Sequence, residues 1–90
     1  MRGPDTNLDA DELALRALVW TLADPARAMR LLDLTGLSPT DLKARAGTQA
    51  VLGAVLVFLE ANEADLVACA EGLGVAPRAL VRAREALENT

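Results

Sequence analysis

The nine residues from Val51 to Leu59 pass without a charged or hydrogen-bonding side chain. A segment apolar on every side has to be enclosed, and in a chain of 90 residues that makes it the centre of the fold. Three structures could contain it. A membrane span takes about 20 apolar residues, whereas Thr48 to Ala61 is only 14 positions and Glu60, Asn62 and Glu63 close the run. A buried strand would suit the valines, but no second stretch rich in β-branched or aromatic residues is present to pair with it, and an unpaired strand leaves its backbone groups unsatisfied. A helix capped by Thr48 and ended near Ala61 meets both demands. Gly53 costs such a helix roughly 1 kcal/mol relative to alanine, so the sequence predicts a second helix lying close there.

The flanking chain carries helix punctuation at short intervals. Met1 to Leu8 reads as a loose tail, and residues 9–88 as a single helical domain. Asp9 can cap a first helix, with Glu12 in capping-box position and Leu13, Ala17, Leu18, Trp20 and Leu22 at helical spacing. Asp24-Pro25 ends it and starts a second, because proline forces its predecessor out of the α region and itself suits a first turn. That second helix presents Ala28, Met29, Leu31 and Leu32 inward, with Arg27, Arg30 and Asp33 mostly outward. Gly36 can close it with a positive φ. Ser38-Pro39 starts a third helix whose Leu42 and Ala46 face the core, while Lys43 and Arg45 do not. Gly47 ends it and Thr48 opens the central helix. Asn62 caps a fifth helix that ends near Gly72 to Gly74, and Pro77 starts a sixth carrying Leu80, Val81, Ala83 and Leu87. The fold class is therefore all-α: a compact bundle of five to six short helices around a central apolar helix.

Laid on itself 38 positions along, the sequence places Gly36 on Gly74, Pro39 on Pro77, Leu42 on Leu80, Leu18 on Leu56, Trp20 on Phe58 and Asp24 on Asn62. Stops, caps and aromatics coincide. Two readings fit: two copies of a three-helix unit closing about a pseudo-twofold axis, with Trp20 and Phe58 in the shared core, or shared helix punctuation alone.

Chemistry is sparse. The chain has no histidine and one cysteine, so neither Cys69 nor Ser38 has the usual base beside it for nucleophilic catalysis. Ser38 reads as a helix cap and Cys69 as a small buried hydrophobe. The acids Asp9, Asp11 and Glu12 suit a helix N-terminus. Glu60, Glu63 and Asp65, the nearest approach to a hard-cation cluster, read as a solvated patch. Glycines fall at helix ends and contacts, with no phosphate-binding loop. No enzyme, cofactor or metal is expected. The lone cysteine fits a reducing compartment. The acidic flank ahead of Leu13 is wrong for an export signal, so the expected location is the cytoplasm, with no membrane partner.

Two binding functions remain. With 52% apolar residues, so short a chain is expected to leave apolar patches around Met29, Leu31, Leu34 and Leu37, or around Leu73 and Val75, and such patches mark protein interfaces. A small interaction module with a protein partner, a homodimer being the simplest case, is the leading expectation. The alternative is a helix-turn-helix DNA-binding regulator. Its turn would be Cys69 to Val75 centred on Gly74, and the helix from Pro77 would present Arg78, Arg82 and Arg84 to the major groove. Three arginines beside an acidic preceding helix, in a chain of net charge −4, are a thin endowment for phosphate contacts. Nucleic acid is the less favoured partner.

Taken in order, Thr35-Gly36-Leu37-Ser38-Pro39-Thr40-Asp41-Leu42, then Val55-Leu56-Val57-Phe58-Leu59, Glu63, and Gly74-Val75-Ala76-Pro77 resemble the small alphaproteobacterial domain of unknown function numbered 3572. The resemblance runs from about Leu13 to Leu87, carried by the order and spacing of turn and apolar signals. Aliphatic residues (Leu31 or Leu32, and Leu52) stand where that family shows phenylalanines. The resemblance implies a small helical cytoplasmic protein and supplies no activity or binding residue.

Overall fold

The structure, a computed structural model, describes residues 5–89, with side chains from residue 10 onward. Six helices are present among these residues: α1 (Asp5–Leu22), α2 (Pro25–Thr35), α3 (Pro39–Ala44), α4 (Gln49–Glu60), α5 (Glu63–Leu73) and α6 (Pro77–Glu88). The caps explain the boundaries. Asp24, Ser38, Thr48 and Asn62 each accept a hydrogen bond from the backbone N–H three residues on, relieving one unpaired donor of a helix start. Gly36 and Gly74 close α2 and α5, both at φ 74°, a conformation that L side chains rarely adopt. α1 begins at Asp5, ahead of the Asp9 cap expected from sequence. Neither glycine nor proline separates Asp5 from Asp9, and once a helix is nucleated each further residue adds a bond. The rest of the expected tail, residues 1–4, lies outside the described residues.

The repeat extends to the boundaries themselves. α1 and α4 end at Leu22 and Glu60, α2 and α5 run Pro25–Thr35 and Glu63–Leu73, and α3 and α6 start at Pro39 and Pro77, each pair shifted by the same interval. The packing distinguishes a twofold from a simple stack. α1 touches α5 and α2 touches α4, a reciprocal pair that a twofold exchanging the units requires and a translation does not. Arg27 and Asp65 occupy equivalent positions and bond each other at 3.4 Å, which two such residues can do only close to the axis.

The centre is the α1–α4 pair rather than α4 alone, since each of these helices touches four others. Leu18, Val55, Leu56 and Leu59 are sealed between them and the flanking helices. α1 presents Ala10, Ala14 and Ala17 as a small-residue seam, all buried, and α6 lies along α1 with its own Leu80, Ala83 and Leu87 turned inward. Thr21, also fully buried, donates its hydroxyl to the Ala17 carbonyl at 2.8 Å, so no polar atom is stranded there.

Four expectations need correction. Met29 is 64% exposed and leaves Leu31 as the buried residue of α2, because an eleven-residue helix on the edge of a small bundle buries only a narrow stripe. Phe58 is enclosed, but Trp20 is only half-buried. Its indole is covered by the Arg27 guanidinium, 4.0 Å from the ring centre, so the larger ring sits at the rim of the core. The open space beside Gly53 shows that no helix lies against it. The close approach belongs to Gly72, where an added Cβ would lie 2.8 Å from Trp20 Nε1 and 3.0 Å from its Cδ1. Finally, α4 is not wrapped on every side, for Val57 is 47% exposed.

The two glycines give opposed predictions. Gly53→Ala should raise the unfolding free energy by about 1 kcal/mol, the helix-propensity gain without a clash. Gly72→Ala should lower it by about 1 kcal/mol net, because overpacking against Trp20 outweighs that gain. Urea denaturation followed by circular dichroism resolves both signs.

Candidate protein-interaction surface

The open side of α4 forms a groove of about 430 Å³, with Ala50, Val51, Ala54 and Val57 on its floor and Leu34 and Leu37 along one wall. Ala50, Ala54 and Val57 recur at i, i+4 and i+7, so they share one helix face. Arg45, the C-cap residue of α3, is the one charged residue lining the groove, and among the described residues its guanidinium makes no ion pair.

The two units differ on this side. α6 runs twelve residues along α1, but its counterpart α3 has only six before the chain turns through Gly47 and Thr48 into α4. A connection to the second unit must be made there, so α3 stops short; the α1 face equivalent to the groove floor, at Glu12, Arg16 and Val19, is exposed as well. The floor differs as well. The position equivalent to Ala54 is Arg16, whose Nη2 donates to the Leu73 carbonyl at 3.3 Å. Ala54 has no side chain to do the same.

A second apolar surface lies on α1. Leu15, Val19 and Leu22 are 42%, 63% and 40% exposed, at i, i+4 and i+7, and Leu15, Val19 and Trp20 line a hollow of about 380 Å³ beside Leu73. The patches expected from sequence are thus partly displaced. Leu34 is at the surface as anticipated, whereas Leu37 is partly buried against the core and Leu31 fully so. The exposed valines of α1 and α4 went unforeseen, because apolar residues in a predicted helix carry no mark of which face is covered.

Arg78, Arg82 and Arg84 do not form one basic face. Successive helical residues turn by about 100°, so Arg78 and Arg82 point one way and Arg84 another. Arg84 bonds Glu60 of α4 and, at 2.8 Å, Glu88. Those hydrogen bonds hold its guanidinium still more firmly charged and tie α6 to α4. Arg78 and Arg82 border a shallow hollow between α6 and α1. The acids of the α4–α5 junction also part company. Glu60 pairs with Arg84, and Asp65 is held between Arg27 and Arg30, the latter 3.0 Å from its Oδ2. Among the described residues no three potential metal ligands cluster.

The model of the family described as "Protein of unknown function (DUF3572)" matches residues 7–90. The chain belongs to that family. No curated protein and no solved structure matches it. Membership fixes kinship and brings no activity, so the residues above stand on their geometry. No helix of the described residues is long and apolar enough to cross a membrane.

Cys69 is fully buried. Burial pushes its thiol up to about 11 from an ordinary 9.0, against a smaller downward pull from the Arg27 charge. In the folded protein it is therefore a protonated core side chain at neutral pH. Alkylation at pH 8 should proceed only at the rate of unfolding. Above about pH 9 the unfolded thiol ionises before the folded one, so this group's contribution to stability should fall as pH rises towards 11. A Cys69→Ala variant, compared with the parent by urea titration at pH 8 and pH 10, should lose that part of the decline.

Proposed function

We propose that the protein is a small helical interaction module of the cytoplasm that binds another protein through the α2–α4 groove and carries out no catalysis. The groove is the observation that carries this reading. It is an apolar cleft long enough for two helical turns, lined by small and aliphatic side chains with one basic residue at its edge, which is the form in which helical surfaces receive a partner helix. An all-helical chain offers no sheet edge for a partner to extend, so helix-on-helix packing is the mode open to it. The absence of histidine from the sequence and the buried, protonated state of Cys69 support a non-catalytic role. A free cysteine is also at home in a reducing compartment.

Ala54→Arg tests the reading by placing in the groove the residue found at the equivalent position of α1. The substitution is at a partly exposed helix position and should change stability by less than about 0.5 kcal/mol. Parent and variant, each tagged and passed through lysate of the source cells, should differ in a discrete set of retained proteins that the variant loses. Identical sets, compared by quantitative mass spectrometry, would remove the groove from the protein's function.

A further inference from the structure

The chain carries two uncovered apolar surfaces, one on α4 and one on α1. We propose that they bind each other between copies, the Leu15–Val19–Leu22 stripe of one protein seating in the α4 groove of the next. The proposal rests on the groove being a docking surface, as argued above, and names its occupant.

Geometry and charge support the match. The stripe runs seven residues along α1, from Leu15 to Leu22, and the groove floor runs seven along α4, from Ala50 to Val57, so both are about 10 Å long. Stripe side chains at i, i+4 and i+7 are the anchors of a helix laid in a groove, and Ala50 and Ala54 on the floor leave room for them. The charges then fix the direction. Asp11 and Glu12 lie one turn before Leu15 on the same side of α1 and remain at least partly exposed. Arg45 stands where the chain enters α4, at the Ala50 end of the groove. Running α1 of one copy parallel to α4 of the other brings these acids to Arg45, and the antiparallel arrangement carries them away from it. Complementary charge of this kind sets register.

The contact is head-to-tail. Stripe and groove are different surfaces, so a copy that gives its stripe still has a groove to fill. Such contacts repeat from copy to copy, closing into a ring or running on as an open string. The smallest ring is a pair in which each copy seats its stripe in the other's groove.

Paired variants test it. Val19→Lys removes the stripe and keeps the groove, and Val57→Lys does the reverse; both side chains are exposed and lie in a last helical turn, where a cation suits the helix terminus. By sedimentation velocity the parent protein should show a mass that climbs with concentration to twice the 9.5 kDa chain or beyond. Each variant alone should remain at one chain, and an equimolar mixture should stop at two, because one intact stripe meets one intact groove. Trp20, the sole tryptophan and a lining residue of the stripe hollow, should shift its emission to the blue on mixing. If circular dichroism shows either variant unfolded, Leu15→Lys and Ala54→Arg take their places. A parent that stays monomeric, a variant that still associates alone, or a mixture that stays at one chain would each overturn the proposal. A monomeric parent whose groove still retains other proteins from lysate would leave the interaction-module reading intact and remove only self-association.

Discussion

The seam between α1 and α4 is the constraint to which the other helices answer. Each of the two is too apolar to face water on more than one side, and together they present two flanks that need cover. The α2 and α5 helices each lie against both members of the pair. At roughly 25 cal/mol per Å² of apolar surface removed from water, sealing side chains as large as Leu18, Leu56 and Leu59 stabilises the pair more than any ion pair on the periphery does. A chain this short has little core to spare. The small residues Ala10, Ala14 and Ala17 matter for that reason, since they let α6 lie close along α1.

The junction of α2 and α5 shows what joining two similar units in one chain permits. In a dimer of identical chains, a residue on the axis meets its own copy, and a charge there meets a like charge. Here Arg27 and Asp65 stand at equivalent positions with opposite charge, and Arg30 reaches the same carboxylate. The arginines serve the aromatics too, with Arg27 over Trp20 and Arg30 5.5 Å from the Phe58 ring centre. A carboxylate this enclosed gains from the bonds that hold it, so the axis is closed by a contact that strict symmetry would forbid.

The same joining shortens α3. The third helix of the first unit must hand the chain to the second, and it breaks after six residues where α6, free of that duty, runs for twelve. The surface proposed to bind a partner borders the point where α3 ends, at Arg45, and has Ala54 where α1 has Arg16. Local sequence marks the difference, since Gly47 and the cap residue Thr48 stand in the first unit where Glu85 and Ala86 continue α6.

Six helices, their caps at Asp24, Ser38, Thr48 and Asn62, and the left-handed glycines at Gly36 and Gly74 were written in the sequence, because a cap or a positive φ is decided by one residue and its nearest neighbours. The equal spacing of the two units was legible for the same reason. Which face of each helix met water was not. Met29 outward, Leu31 inward, Trp20 under an arginine and Gly72 rather than Gly53 at the close approach all depend on where a distant helix comes to lie. The identity of the groove was beyond sequence reasoning altogether, since it is an absence of cover, and cover is supplied by residues remote in the chain. Local chemistry determined the pieces; the burial of one helix pair by two linked units decided which of their surfaces were left for a partner.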